Sequence, residues 1–191
     1  MTQRHPNTLD PEKTALLVVD VQERFRAVMT DFDPMVKGCV RLVRTFRLLE
    51  LPVLVTEQYP KGLGPTVQEL KAAFSSERSA DPILLEKTSF SSYGCEGLPS
   101  KLEGTGARSV LVCGIEAHVC VNQSVHDLLA AGYAVEVAID AVQSRSPIDR
   151  EAAFRKMERS GAVLTTVEMA AFELLRDAKH PKFKEVQALY K

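Results

Sequence analysis

Short apolar runs alternate along the chain with segments in which apolar residues recur at helical spacing. The runs are continuous and rich in Val, Leu and Ile, which is typical of parallel strands buried on both faces. They predict six strands, at Thr14–Val19, Pro52–Thr56, Pro82–Glu86, Ser109–Cys113, Ala134–Ile139 and Ala162–Thr166. The spacing between them predicts helices at Met35–Leu49, Leu98–Glu103, Val119–Ala131, Asp149–Ser160 and Val167–Asp177, a short helix ending at Phe74 and an amphipathic piece at Phe183–Tyr190.

This alternation predicts an α/β fold with a parallel sheet, helices on both faces and right-handed crossovers. The 191 residues suit one domain with a large core, so we expect residues 1–191 to form a single domain with residues 1–12 as an N-terminal tail. A strand order of 3-2-1-4-5-6 is expected for such a sheet. Neither a Gly-x-Gly-x-x-Gly fingerprint after the first strand nor a P-loop is present, which argues against nucleotide binding by those routes.

Composition narrows the classes of partner. The net charge is −1, so the chain has no overall positive charge that would attract nucleic acid or an anionic membrane. The apolar runs are shorter than the roughly 18–20 residues that span a bilayer. No signal or clear transit peptide is visible, so we expect a cytoplasmic protein, and a mitochondrial location stays open.

The cysteines indicate reduced thiols rather than a disulfide or metal framework. They are Cys39, Cys95, Cys113 and Cys120, and they include no Cys-x-x-Cys pair and no His at zinc-ligand spacing. Cys39 and Cys113 lie in apolar patterns and are expected to be small buried hydrophobes, whereas Cys95 is expected to be an ordinary loop thiol. We therefore expect no metal and no cofactor.

Three residues with reactive side chains follow strands of the predicted sheet: Asp20, Lys87 and Cys120. In the expected strand order, Asp20 and Cys120 face each other where the order reverses, and ligands bind at that point. Lys87 reaches toward them from two strands away. After a sharp turn at Gly114, Cys120 falls in the first turn of a helix, where the helix dipole is expected to lower its pKa.

An acid, a cation and a thiol at one sheet edge make chemical sense together. Asp20 can take the thiol proton, Lys87 can hold the thiolate by charge, and Cys120 can attack an electrophilic carbon. Backbone N–H groups at the turn can stabilise the oxyanion that develops. Taken singly, each residue has a plainer interpretation: the aspartate as a turn residue, the lysine as a solvated side chain and the cysteine as a buried hydrophobe.

The segments around these residues resemble the isochorismatase-like cysteine hydrolases. The matching segments are Leu17–Phe25, Glu86–Phe90 and Gly114–Val121, and the resemblance continues through Asp140–Arg145 and Gly161–Thr166. The chain is most similar to the isochorismatase-domain-containing branch, which carries a similar Thr56–Pro60 segment and a similar Lys-Phe-Lys-Glu tail.

The resemblance implies a three-layer α/β/α sandwich with a six-stranded parallel sheet. It also implies a catalytic triad of Asp20, Lys87 and Cys120 and a cis peptide bond between Ile115 and Glu116. In that arrangement the backbone N–H groups of Glu116 and Cys120 form the oxyanion hole. A homo-oligomer, either a dimer or a tetramer, is implied as well.

Departures from the family pattern restrict the substrate. Nicotinamidases of the family carry an Asp/His/His metal site, but the corresponding stretch here is Glu57–Pro60 and contains no His, which argues against a metal and against nicotinamide. Authentic isochorismatases open a vinyl ether and often lack the cysteine. The presence of Cys120 therefore favours acyl or imidoyl chemistry. Glu116 stands where many relatives have a small residue.

The sequence thus predicts a hydrolase that cleaves a small amide, or a related C–N or ester substrate, through a thioacyl-enzyme. A non-catalytic binding or scaffold protein and a vinyl-ether hydrolase are the alternatives. The predicted partner is a small-molecule substrate, with no nucleic acid and no membrane. Phe25, Tyr59, Phe90 and His118 are candidate substrate contacts, although each can equally be a packing residue, and His118 can face solvent or a neighbouring subunit.

Overall fold

A six-stranded parallel sheet forms the centre of the computed structural model, which describes residues 5–74 and 80–191. The strand order is 3-2-1-4-5-6, which confirms the predicted fold class and topology. In chain order the strands are β1 Thr14–Val19, β2 Val53–Gln58, β3 Ile83–Lys87, β4 Ser109–Ile115, β5 Ala134–Gln143 and β6 Val163–Thr165. Because β1 pairs with both β2 and β4, the ends of these three strands meet at one edge.

The connecting helices cover both faces of the sheet. They are α1 Phe32–Leu48, α2 Pro60–Leu63, α3 Gln68–Phe74, α4 Leu98–Gly104, α5 Asn122–Ala130, α6 Pro147–Arg159, α7 Val167–Leu175 and α8 Phe183–Gln187. Short 3-10 turns occupy Glu23–Phe25 and Ala188–Tyr190, and a π-helical turn occupies Ala117–Val121. The helix predicted at Val119–Ala131 is therefore two pieces, and its first turn is π-helical.

Alternate residues of each strand point into two separate cores, which produces three layers. On one side, Leu16 and Val18 of β1 pack with residues of α1, α3 and α7. On the other side, Leu17 of β1 packs with residues of α4, α5 and α6. The C-terminal Phe183, Val186 and Tyr190 pack on their own chain against α7, which removes the need for a partner subunit to cover them.

Gly114 allows β4 to lie close against β1. Its φ is +115°, and a Cβ atom there would lie 2.1 Å from the Val19 carbonyl oxygen. The sharp turn expected at this glycine was wrong, because β4 continues its pairing with β5 through Ile115. The chain turns at the next peptide bond, Ile115–Glu116, which is cis.

Within the two described ranges, no helix combines the length and the apolar character that crossing a membrane requires. All four cysteines are free and buried. Cys39 and Cys113 lie in the core beside α1, as expected of small buried hydrophobes.

Candidate active site

Asp20 lies at the end of β1 and is almost completely buried. The residue takes a left-handed conformation, with φ of +52°, and its side chain turns into the sheet edge. One carboxylate oxygen, Oδ1, accepts a hydrogen bond of 2.7 Å from the Thr56 hydroxyl. The other, Oδ2, accepts one of 2.7 Å from the Lys87 ammonium. Both oxygens of this carboxylate are therefore held in place by neighbouring strands.

Lys87 ends β3, and its side chain has no exposed surface. Besides Asp20, its ammonium donates to Gln58 Oε1 at 2.6 Å and to the carbonyl oxygens of Ser89 and Phe90, both at 3.0 Å. A buried charge is tolerated only where it is paired and hydrogen-bonded, and this one is both. The cation is consequently fixed in one position beside the aspartate.

Cys120 lies in the π-helical turn after β4 and is only 6% exposed. The pKa of its thiol is raised to about 12: burial is the largest cause, the Asp20 carboxylate adds to the rise, and the Lys87 ammonium opposes it. The lowered pKa expected from the helix N-terminus is therefore wrong, because burial and the nearby carboxylate outweigh the favourable charges. At neutral pH the Cys120 thiol is therefore neutral, beside the Asp20–Lys87 ion pair.

A chain of hydroxyl groups connects the aspartate with the turn that carries the cysteine. The Thr56 hydroxyl lies 3.2 Å from the Ser92 hydroxyl. The backbone N–H of Ser92 donates to the Ser124 hydroxyl at 2.7 Å, and Ser124 in turn donates to the Cys120 carbonyl at 2.6 Å. The sequence analysis missed Ser92 and Ser124, which carry no local signal of their own. Thr56 could have been found from its place in the Thr56–Pro60 segment.

Gln22 is a further residue that was not among the predicted site residues. Its amide NH₂ donates to the carbonyl oxygens of Gln58 and Gly64, at 3.0 and 2.6 Å, and its amide oxygen accepts from the Gln58 backbone N–H at 2.8 Å. These bonds join the chain after β1 to the end of β2. They keep Gln58, a hydrogen-bond partner of Lys87, at its position.

Two of the candidate substrate contacts lie near Lys87. Tyr59 is 54% exposed and borders a cavity of about 530 Å³, together with Lys87 and Cys95. Phe90 is 55% exposed, and its carbonyl oxygen accepts the hydrogen bond from Lys87. This side of the site therefore offers aromatic surface to a ligand.

The other two candidates contact their own chain. Phe25 packs, half-buried, against the core cluster beside α1. His118 Nδ1 lies 3.0 Å from the hydroxyl of Ser144, a buried residue at the end of β5. Neither Phe25 nor His118 lines the cavity that Tyr59 borders.

Glu116 directs its carboxylate toward Arg145. Its Oε1 accepts from the backbone N–H of Arg145 at 3.1 Å and from the Arg145 Nε at 3.0 Å. Its carbonyl oxygen accepts from the N–H groups of Val119 and Val121. The residue thereby links the turn after β4 to the loop after β5.

Over residues 5–74 and 80–191, no three His, Cys, Asp or Glu side chains are grouped so that they could hold a metal ion. Glu57 lies in the stretch that differs from the nicotinamidase pattern. Its Oε1 accepts from both the N–H and the hydroxyl of Thr66, each at 2.6 Å. This carboxylate therefore has a role in shaping the loop before α3.

Comparisons with known proteins agree with this fold. A model of the Isochorismatase domain matches residues 14–169. Isochorismatase domain-containing protein 2A of Mus musculus is 43% identical over 182 residues, which are 95% of this chain and 84% of that protein. The structure of MAR1 ribonuclease from Caenorhabditis elegans is also 43% identical, with a TM-score of 0.87, and the match covers 95% of this chain and 91% of that one. N-carbamoylsarcosine amidase from Thermoplasma acidophilum is 26% identical, with a TM-score of 0.67 and coverage of 82% and 97%.

Proposed function

The chain belongs to the isochorismatase family of hydrolases, and we propose that it cleaves a small amide, or a related C–N or ester substrate, through a thioacyl intermediate on Cys120. The observation that carries this proposal is the buried Asp20–Lys87 pair, whose charges both act on the Cys120 thiol. The similarity to N-carbamoylsarcosine amidase supports C–N chemistry in particular.

In the proposed mechanism, Asp20 takes the thiol proton while the sulfur attacks the substrate carbonyl carbon. A thiol with a pKa of about 12 does not supply much free thiolate at neutral pH, so proton transfer accompanies the attack. Lys87 holds the aspartate in position before the transfer and stabilises the negative charge that appears on sulfur. The carbonyl oxygen becomes an oxyanion, which accepts hydrogen bonds from the backbone N–H groups of Glu116 and Cys120.

The tetrahedral intermediate then collapses and the C–N bond breaks. Asp20 returns its proton to the leaving nitrogen, which departs as an amine or ammonia and leaves a thioester on Cys120. Water attacks the thioester while Asp20 accepts one of its protons. That proton passes to the departing sulfur, so the acid product leaves and the thiol is restored. The aromatic surfaces of Tyr59 and Phe90 form one wall for a small substrate.

Cys120→Ala tests the mechanism on a panel of small amides and ureides, with products detected by mass spectrometry. We expect wild-type turnover on at least one substrate and a loss of about a thousandfold or more in the variant, because the covalent route is closed. Cys39→Ala is the matched control, since it removes a buried thiol from the core beside α1 and should keep its activity. Equal turnover by wild type and Cys120→Ala on a verified substrate would contradict the proposal.

RNA hydrolysis is a second candidate, favoured by the similarity to the protein described as MAR1 ribonuclease. A fluorescently labelled RNA oligomer, incubated with wild type and with Cys120→Ala, separates it from the amidase proposal. Cleavage that depends on Cys120, without turnover of any amide, would favour the ribonuclease. If neither substrate class reacts with the wild type, a non-catalytic binding role replaces both.

A further inference from the structure

A second cavity lies away from the Asp20–Lys87–Cys120 group, on the outer face of α1. Its volume is about 620 Å³, within the usual range of about 300–1,000 Å³ for small-molecule sites. It runs along the helix between α3 and the C-terminal turn at Ala188–Tyr190. Six charged side chains line it: Arg26, Lys37, Arg41, Arg44, Asp33 and Glu69. We call this cavity the α1 groove.

Both carboxylates of the α1 groove pair with the same cation, Arg26. Arg26 donates to Glu69 at 2.9 Å and also to Asp33, and it pairs in addition with Glu23. Among the described residues, Lys37, Arg41 and Arg44 have no carboxylate within ion-pair distance. The four cations and two carboxylates that line the α1 groove therefore give it a net charge of +2, although the whole chain has a net charge of −1.

The spacing of these three cations places them on one face of α1. Residues three and four apart are neighbours on a helix, and like charges at those positions destabilise it. Arg41 is also held in position, with its guanidinium 5.7 Å from the centre of the Tyr190 ring. The Tyr190 hydroxyl lies 3.0 Å from that of Thr45, which fixes the ring. An anion bound here would reduce the repulsion among the three cations. It would not have to immobilise the Arg41 side chain, because Tyr190 already holds it.

We propose that the α1 groove binds a phosphate-bearing small molecule. A phosphate carries up to two negative charges and presents several acceptor oxygens, and guanidinium groups bind it through paired N–H donors. Val36, Val40 and Leu189 supply apolar surface beside the cations for the body of the ligand. Three cations are few for a strand of RNA, whose binding depends on neutralising many successive phosphates. This site is independent of the proposed hydrolase function.

The test uses the full chain and three probes: adenosine monophosphate, inorganic phosphate and adenosine. Calorimetric titration and thermal unfolding are run at one ionic strength set with sodium chloride, so that general screening is the same throughout. We expect adenosine monophosphate to bind at least about tenfold more tightly than adenosine and to raise the melting temperature, because only the nucleotide carries the phosphate charge. Inorganic phosphate should bind competitively with it.

The double variant Arg41→Gln/Arg44→Gln should lose at least about tenfold in affinity for adenosine monophosphate. Arg155→Gln/Arg159→Gln is the matched control on α6, on the opposite side of the sheet, and should bind as wild type does. If the groove variant is unfolded by circular dichroism, Lys37→Gln replaces it with the same expected direction. No nucleotide binding by wild type, equal binding of adenosine, or equal loss in both double variants would overturn the proposal. Tighter binding of a labelled RNA oligomer that is lost in the groove variant would overturn it in favour of a nucleic-acid surface.

Discussion

At the scale of single residues, the sequence predicted which side chains meet but not their protonation. Asp20, Lys87 and Cys120 each follow a strand, so the strand order was enough to bring them together. Whether the thiol is ionised depends on how deeply the fold buries it, and no local pattern encodes that depth. The result is a pKa of about 12, where the helix N-terminus alone indicated a lowered value. Base-assisted attack is thus better supported than a standing thiolate.

The pH dependence of Cys120 alkylation follows from this raised pKa. A free cysteine with a pKa near 8.5 reaches its full rate with iodoacetamide at roughly one to two pH units above that value. Because the thiolate form of Cys120 becomes abundant only near pH 12, its rate should still be rising at pH 10. The measurement is peptide-resolved mass spectrometry in a Cys95→Ala background. An alkylation rate that reaches its plateau at or below pH 9 would mean that burial and Asp20 do not raise the pKa of the thiol.

Thr56→Val tests the hydroxyl that holds Asp20. The valine has the same shape but leaves Asp20 Oδ1 and the Ser92 hydroxyl without this partner. We expect a loss of about 1–3 kcal/mol in the free energy of unfolding and a lower kcat, with both restored in Thr56→Ser. Thr165→Val is the matched control, because the buried Thr165 hydroxyl has no hydrogen-bond partner among the described residues and its removal should cost nothing. Equal effects in the two valine variants, measured by urea titration, would remove the assigned role of Thr56.

At the scale of elements, the apolar runs located all six strands, but several ends were wrong. β4 and β5 continue beyond their predicted ends, to Ile115 and Gln143. Both extensions depend on pairing between the two strands, including a shift of register after Val112. Pairing of this kind joins residues far apart in sequence, so a local hydrophobic pattern cannot reveal it. The extension matters because it places the turn at Glu116, next to the cysteine.

Gly114→Ala should therefore be among the most harmful single changes in the sheet. Its Cβ would overlap the backbone of Val19, which immediately precedes Asp20, and its φ of +115° is unfavourable for any other residue. We expect a loss of at least about 4 kcal/mol in the free energy of unfolding, or failure to fold. Gly104→Ala, where a Cβ meets nothing within 4 Å, should change stability by less than about 1 kcal/mol. A mild effect at Gly114 in urea titration would show that β1 and β4 can separate without cost.

At the scale of the whole molecule, the alternation of strands and helices determined the topology, and the topology determined where the site lies. The exposed side chains around that site could not be predicted from the same alternation. Exposed large apolar side chains follow the carboxyl ends of several strands, among them Tyr59, Phe90, Ile148 and Met169. They belong to loops and helix starts that are far apart in sequence. Only the folded sheet collects them at one edge.

This collection of apolar side chains gives the expected homo-oligomer a location. Apolar side chains grouped on a surface mark interaction sites more often than scattered ones do. We expect light scattering to give a multiple of the 21.1 kDa chain mass, and Ile148→Asp, at the most exposed of these positions, to lower that mass. Leu84→Asp is the comparison, because Leu84 is half-exposed in the middle of the edge strand β3, away from the carboxyl ends.

A mass lowered by Leu84→Asp alone would place the interface along β3, and a wild-type mass of one chain would exclude the oligomer under those conditions. If Ile148→Asp lowers the mass and also reduces turnover while unfolding with wild-type stability, a second copy of the chain helps to close the active site.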